Sequence, residues 1–113
     1  MSQILVANAR KLADVPAGYT PIYVGRNTSY KPEYGLDFSI LGNHYTSRHY
    51  SREDAVALYR QWLTQRDSDA TPQGRALEQL RERLGEGERL ALVCWCAPLA
   101  CHGDVIREQL EGK

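Results

Sequence analysis

The segment LALVCWCAPLACHGD, residues 90–104, decides how the rest of the chain is interpreted. It begins with an apolar run that is typical of a buried strand and continues through a loop that contains proline. It then leads into an amphipathic segment, Val105 to Leu110, so the order predicts a strand, a tight loop and a helix that begins near Gly103 and Asp104. The same segment holds all three cysteines of the chain, which makes it the first place to look for chemistry.

Two further strands are predicted in the first quarter of the chain. Residues 4–7 are apolar and partly β-branched, which favours a first strand. Residues 21–26 predict a second strand, with Pro21 at its start and Gly25 as the residue that terminates it. From residue 27 to residue 50 the sequence has no steady hydrophobic period. We interpret this segment as a long loop that forms a lid or a pocket wall.

Two helices are predicted between these strands and the last one. Ser51 and Asp54 resemble a capping box, and apolar residues at helical spacing then predict a helix over 52–65. Thr71 followed by proline is typical of a helix start, and Gly85 of a helix end.

The order strand, strand, helix, helix, strand, helix predicts one α/β domain over residues 1–113, a small Rossmann-like sheet that is mostly parallel and flanked by helices. In such sheets the ligand crevice lies outside the carboxyl ends of the strands. Those ends are residues 25–27 and 96–104, so two distant stretches are expected to meet.

Composition limits the classes of function. The formal net charge is zero, so nothing in the overall charge favours nucleic acid or an anionic membrane surface. No apolar run approaches the length of a membrane span, and the first residues lack the features of a secretory signal. We therefore expect a cytoplasmic protein with reduced thiols, and three cysteines do not suggest a disulfide framework.

The first functional interpretation is a pocket for an anion or a nucleotide. The helix beginning near Gly103 offers backbone N–H groups to a phosphate, and Arg26 is a candidate bidentate partner. Gly25 allows close approach of the backbone, while Asn43 and His44 line the loop side. The candidates for stacking on a base are Tyr30, Tyr34, Tyr45 and Tyr50. The alternative is that these are ordinary turn glycines and surface aromatics.

The second interpretation is proton transfer or nucleophilic catalysis. His102 and Asp104 form a candidate proton-transfer pair. Cys101 is a candidate nucleophile if the helix start and a protonated His102 lower the pKa of its thiol. Cys96 and Cys101 would shape the floor of the pocket. The alternatives are that Asp104 is a charge in the first helical turn, that His102 bonds a backbone carbonyl, and that the cysteines are inert.

The third interpretation is a metal site. Cys94, Cys96, Cys101 and His102 are suitable ligand types for zinc, but paired C-x-x-C knuckles are missing. A reduced, buried group of cysteines is therefore favoured over a closed zinc site, and no residue is assigned as a metal ligand. A small zinc-binding protein remains an alternative.

Several pieces of the chain resemble one family. They are YVGR at 23–26, GN at 42–43, YRQWL at 59–63 and CWCAPLACHGD at 94–104, the last being highly specific. These pieces resemble the domain-of-unknown-function family numbered 4326, found in bacteria and phages. Its members typically continue the Gly-Asn pair with proline and an aromatic residue, where this chain has His44 and Tyr45. The resemblance implies a compact Rossmann-like α/β domain and brings no established reaction.

Together these features predict a protein that binds a small phosphorylated ligand, a nucleotide or nucleoside derivative, with hydrolase or transferase activity as an extension. No cofactor is assigned. The alternative of another class is a noncatalytic module that sequesters a ligand or binds a protein partner through the tyrosine-rich residues 27–50.

Overall fold

The structure is a computed structural model, and it describes residues 3–10, 15–26, 35–45, 48–95 and 102–112. The strands and helices, in chain order, are β1 (Ile4–Asn8), β2 (Tyr19–Tyr23), β3 (Leu36–Asp37), a short 3₁₀ helix (Ser39–Leu41), α1 (Arg52–Arg66), α2 (Pro72–Gly85), β4 (Arg89–Cys94) and α3 (His102–Glu111).

The strands form one four-stranded sheet in the order β1-β4-β2-β3, and every pairing is parallel. The last strand of the chain is therefore central. Its register aligns Leu92 with Val6 of β1 on one side and with Ile22 of β2 on the other. The predicted α/β architecture is confirmed.

The three helices pack on one face of this sheet and share its main core. The strand residues of that core alternate along each strand, and the helices contribute large apolar side chains. Its principal members are Ile4, Ile22, Val24, Leu90, Leu92, Cys94, Tyr59, Leu63, Leu77, Leu80 and Ile106. On the opposite face Ala91 and Val93 are also buried. Burial on both faces explains why β4 is almost continuously apolar.

The helix starts follow their local sequence signals. The Ser51 hydroxyl accepts a hydrogen bond from the Asp54 amide at 3.1 Å, and the Thr71 hydroxyl accepts one from the Gly74 amide at 2.9 Å. Each bond satisfies one of the free N–H groups of a helix start. Pro72 occupies the first turn of α2, and α1 extends one residue past its predicted end.

Two predictions about the first half of the chain were wrong in detail. The second strand ends at Tyr23 rather than residue 26, and Pro21 lies inside it. The Val24 amide donates to β4, and the Tyr23 carbonyl accepts from the residue after β3. Because backbone groups alternate sides along a strand, the Pro21 nitrogen faces β3, and β2 pairs with β3 only from Ile22 onward. The missing proline N–H therefore breaks no bond between β2 and β3.

The segment 27–50, interpreted as one long loop, contains β3 and the 3₁₀ helix. β3 is two residues long and shows no hydrophobic period of its own. Gly35 precedes it with a φ of 76°, and a Cβ there would lie 2.5 Å from the Pro21 carbonyl oxygen. Glycine is thus required where the chain enters β3.

Candidate functional site

The candidate site lies where β2 and β4 end side by side. From β2 the chain continues to β3, whereas from β4 it continues to α3, which packs against β1 and β4. The elements that follow β2 and β4 therefore lie on opposite sides of this pair of strands, which makes it a topological switch point. Such a switch point creates the crevice in which open parallel sheets bind ligands. The two stretches expected to meet, after β2 and at the start of α3, are joined here.

His102 makes that junction. Its Nε2 lies 2.6 Å from the carbonyl oxygen of Val24, and the residue is 7% exposed. Its ring packs edge-on against Tyr59, with the ring centroids 5.4 Å apart. Because a carbonyl only accepts, Nε2 carries the hydrogen and Nδ1 is the acceptor of the neutral ring. The bond to a backbone carbonyl, weighed above as the structural alternative, is therefore present.

The electrostatics of the site are centred on the same imidazole. Burial lowers the pKa of His102 below its usual 6.5, and the positive charge of Arg26 lowers it further. The bond to Val24 and the Asp104 carboxylate act in the opposite direction, without reversing the shift. His102 is thus neutral at neutral pH, and both Arg26 and Asp104 lie close enough to influence it.

Arg26 is exposed and is held at one point. Its Nε donates to the backbone oxygen of Asn43 at 3.0 Å. Within the described ranges no acceptor binds the two terminal nitrogens of this guanidinium. They form the flat, bidentate end that suits a phosphate or carboxylate.

Asn43 and His44 occupy different places. Asn43 is 7% exposed, and its Oδ1 accepts from the Tyr45 amide at 2.8 Å, so the side chain closes a local turn while its carbonyl holds Arg26. The exposed ring of His44 lies 5.0 Å from that of Trp62 on α1 and 4.2 Å from that of Tyr45. The structure thus places Asn43 beside Arg26, and His44 against an aromatic group on α1.

The glycines leave room for the protein itself. A Cβ on Gly25 would lie 2.5 Å from the Tyr23 hydroxyl, and one on Gly42 would lie 2.9 Å from the Gly25 carbonyl oxygen. Gly103 is buried in the first turn of α3. At Gly25 and Gly42 the close approach is therefore made by neighbouring parts of the chain.

Sequence reasoning missed two site residues, Tyr23 and Trp95. The indole N–H of Trp95 donates to the Tyr23 hydroxyl at 3.0 Å, and that hydroxyl donates to the Arg26 carbonyl at 2.8 Å. Both residues belong to the quoted motifs at 23–26 and 94–104. Their adjacency depends on the pairing of β2 with β4, which spacing within either motif does not reveal.

Four predicted positions fall outside the described residues: Cys96, Cys101, Tyr30 and Tyr34. Cys94 is buried at the end of β4. In the part of the chain that the structure describes, no three His, Cys, Asp or Glu side chains are grouped to hold a metal ion.

Fold and site together define a small α/β protein with an all-parallel sheet and a polar cluster at the carboxyl edge of its two inner strands. The chain belongs to the family described as domain of unknown function DUF4326, whose model matches residues 7–112. The match begins well before Tyr23, where the motif resemblance starts, and includes the last two residues of β1. Comparison with curated proteins and with solved structures gave no significant match. Within the described ranges, no helix has the length and apolar character needed to cross a bilayer.

Proposed function

We propose that the protein binds a small phosphorylated ligand, a nucleotide or nucleoside derivative, at the carboxyl edge of β2 and β4. The observation that carries the proposal is the anchorage of Arg26, which is bonded through Nε to the Asn43 carbonyl and has an exposed guanidinium. This arrangement orients the guanidinium without using its terminal donors. Phosphate recognition by arginine depends on such pre-oriented donors.

The start of α3 supports the same ligand class. A helix N-terminus favours negative charge, and the His102 bond fixes this terminus beside the end of β2. Asp104, in the first turn, adds a carboxylate that accepts hydrogen bonds. A phosphate ester that carries hydroxyl groups, such as a nucleotide, offers its phosphate to Arg26 and its hydroxyl donors to the Asp104 carboxylate. Inorganic phosphate suits this pair of opposite charges less well.

The proposal extends to proton transfer by His102 and Asp104. With Nε2 committed to Val24, Nδ1 is the position at which a neutral His102 would accept a proton. Hydrolysis or group transfer would use this step, with Cys101 as the proposed nucleophile. A cytoplasmic location is part of the proposal, in keeping with three cysteines that do not suggest a disulfide framework.

A noncatalytic, ligand-sequestering function is the second candidate. The specific observation in its favour is the burial of His102, which is 7% exposed and hydrogen bonded to the backbone. A buried imidazole that joins two elements has a structural purpose without any reaction. The two candidates differ in whether the ligand emerges chemically unchanged.

Native mass spectrometry of gently purified protein tests the proposal without a guess at the ligand. We expect an added mass that is released by denaturation and that fragments to a phosphate-containing ion. Arg26→Gln should lose this mass. Arg75→Gln is the matched control, because Arg75 is also exposed and also donates to one backbone oxygen, that of Asp69 at 3.2 Å.

A ligand retained equally by Arg26→Gln would contradict the proposed site. Incubation of the identified ligand with the protein then separates the two candidates. A changed mass of the ligand supports catalysis, and recovery of the intact ligand supports sequestration.

A further inference from the structure

An exposed tryptophan is fixed at the same edge of the sheet. Trp95 directly follows β4 and is 36% exposed. Its indole N–H donates to the Tyr23 hydroxyl at 3.0 Å, and its backbone oxygen accepts from the Asn8 side chain at 3.3 Å. The polar edge of the indole is therefore satisfied within the protein while part of the ring stays accessible. Leaving such a ring in contact with water costs free energy, which a stacked ligand would recover.

The anchor of this indole leads directly to Arg26. The Tyr23 hydroxyl accepts from Trp95 and donates to the Arg26 carbonyl at 2.8 Å. The indole nitrogen and that carbonyl are consequently no more than about 6 Å apart, two hydrogen-bond lengths. Gly25 makes this arrangement possible, because a Cβ there would lie 2.5 Å from the same hydroxyl.

One positive charge lies over the ring. The guanidinium of Arg10 lies over the indole, 5.7 Å from its centroid, and the Arg10 amide is bonded to the Asn8 side chain at 2.8 Å. Arg26 lies on the other side of the Tyr23 bridge. An aromatic surface beside one arginine, and bridged by Tyr23 to the backbone of a second, suits a ligand that combines a flat ring with an anionic group.

The other exposed apolar side chains of the described residues do not share this setting. Ile40 is 48% exposed and Tyr50 is 40% exposed. Ile40 has no aromatic ring, and Tyr50 pairs with Tyr45, their centroids 5.7 Å apart, in the aromatic group that includes Trp62 of α1. Trp95 is joined by hydrogen bonds to the segment that carries Arg26.

We propose that Trp95 is the stacking surface for the base of the bound nucleotide, and that Tyr23 positions the indole relative to Arg26. This inference rests on the proposed function, because Arg26 supplies the phosphate contact. It assigns the base to a tryptophan rather than to the tyrosines that the sequence suggested. Stacking is tolerant of base identity, so purines and pyrimidines are both accepted, with purines preferred for their larger ring.

The test compares ligands with and without a base. AMP, GMP, CMP and UMP are titrated calorimetrically against ribose 5-phosphate, which has the sugar and phosphate alone. We expect Trp95→Ala to weaken AMP binding about 10- to 100-fold, the usual range for loss of one stacked base, and to leave ribose 5-phosphate within about twofold. Trp95→Phe keeps a smaller ring and should give an intermediate loss.

A spectroscopic readout separates stacking from a general loss of fold. The chain has two tryptophans, so Trp62→Phe leaves Trp95 as the sole indole reporter. AMP should quench its fluorescence in this background, and ribose 5-phosphate should not. Tyr23→Phe, which removes only the bridging hydroxyl, should reduce AMP affinity several-fold and shift the Trp95 emission, as expected for a positioning residue.

The inference and the proposed function fail differently. If AMP and ribose 5-phosphate bind equally, lose affinity in Arg26→Gln and ignore Trp95→Ala, the stacking surface is overturned and the phosphate site stands. If none of the four nucleotides nor ribose 5-phosphate binds the wild-type protein, both are overturned.

Discussion

Two arginines in this molecule show how the same side chain is enclosed by partners in one region and leaves its terminal donors at the surface in another. Arg81, on α2, is 16% exposed and donates to both oxygens of Asp67, at 2.6 and 3.0 Å. Asp67 is 3% exposed and also accepts from the Gln109 side chain at 2.6 Å. These hydrogen bonds raise the pKa of Arg81 above its usual value, although burial acts against them.

Arg26 differs in its exposure and in its hydrogen bonds. It is exposed, and one hydrogen bond through Nε orients it against the Asn43 carbonyl. The cluster of Arg81, Asp67 and Gln109 joins the end of α1 to α2 and α3. In it the carboxylate of Asp67 neutralises the charge of Arg81. The difference lies in the partners: a buried carboxylate binds both terminal nitrogens of Arg81, whereas one backbone oxygen binds Nε of Arg26 and, among the described residues, leaves its terminal nitrogens unbound.

The largest expected effect is at the closed cluster. Asp67→Asn removes the buried carboxylate from this pair and leaves Arg81 with the exposed Glu78 as its acidic partner, so the free energy of unfolding should fall by about 3 kcal/mol in urea denaturation. Glu108→Gln is the control, because its pair with Arg60 is 58% and 48% exposed. The control should cost under about 1 kcal/mol. Equal losses in the two variants would break the comparison.

Gly25→Ala should have the next largest effect. The added methyl group displaces the buried Tyr23 ring from its place beside Arg26, and overpacking of this kind costs about 1–3 kcal/mol. The Trp95 emission should shift with it, as the indole loses its acceptor. Gly85→Ala is the control, since a Cβ there meets nothing within 4 Å. If Gly25→Ala is as stable as that control, the packing around Tyr23 is wrong.

The pH dependence of stability tests the candidate site through the buried imidazole of His102. Burial lowers the pKa of His102 in the folded protein, so the unfolded chain binds a proton more readily. The contribution of His102 to stability is complete above its unfolded pKa of about 6.5 and is lost as the pH falls through the lower, folded pKa.

Urea denaturation between pH 4 and 8 measures this dependence. His102→Gln keeps an N–H donor for Val24 but does not titrate, so its stability should decline less below pH 6.5 than that of the wild type. His49→Gln, at an exposed position, is the matched control for the loss of a histidine. Parallel wild-type and His102→Gln profiles would exclude the buried neutral imidazole.

The smallest effect on stability is expected at Arg26. Arg26→Gln removes one hydrogen bond from an exposed side chain, so the free energy of unfolding should change by less than about 0.5 kcal/mol. Circular dichroism during urea denaturation measures this difference. A loss of several kcal/mol would make Arg26 a structural residue like Arg81.

The sequence was a good guide wherever one local signal governs an element. Thr71 and Pro72 fix the start of α2 by capping, and the apolar run of β4 reflects its central place in the sheet. β3 is not predicted, because two residues are too few to show a hydrophobic period. It is a strand only by its tertiary pairing with β2.

The candidate site was predictable at the level of its segments rather than of its bonds. The meeting of the end of β2 with the start of α3 follows from a parallel sheet, and His102 was selected with both a functional and a structural role in view. The turn closed by Asn43 and the bridge from Trp95 to Tyr23 depend on tertiary contacts. No spacing within the chain encodes those contacts.

The central claim is that Arg26 holds the phosphate, and calorimetric titration with ribose 5-phosphate tests it most directly. Wild type and Arg75→Gln should bind alike. Arg26→Gln should bind about 10- to 100-fold more weakly, which corresponds to the loss of charge-assisted hydrogen bonds, while its stability is unchanged. Equal binding by all three proteins, or equal loss in both variants, would contradict the claim.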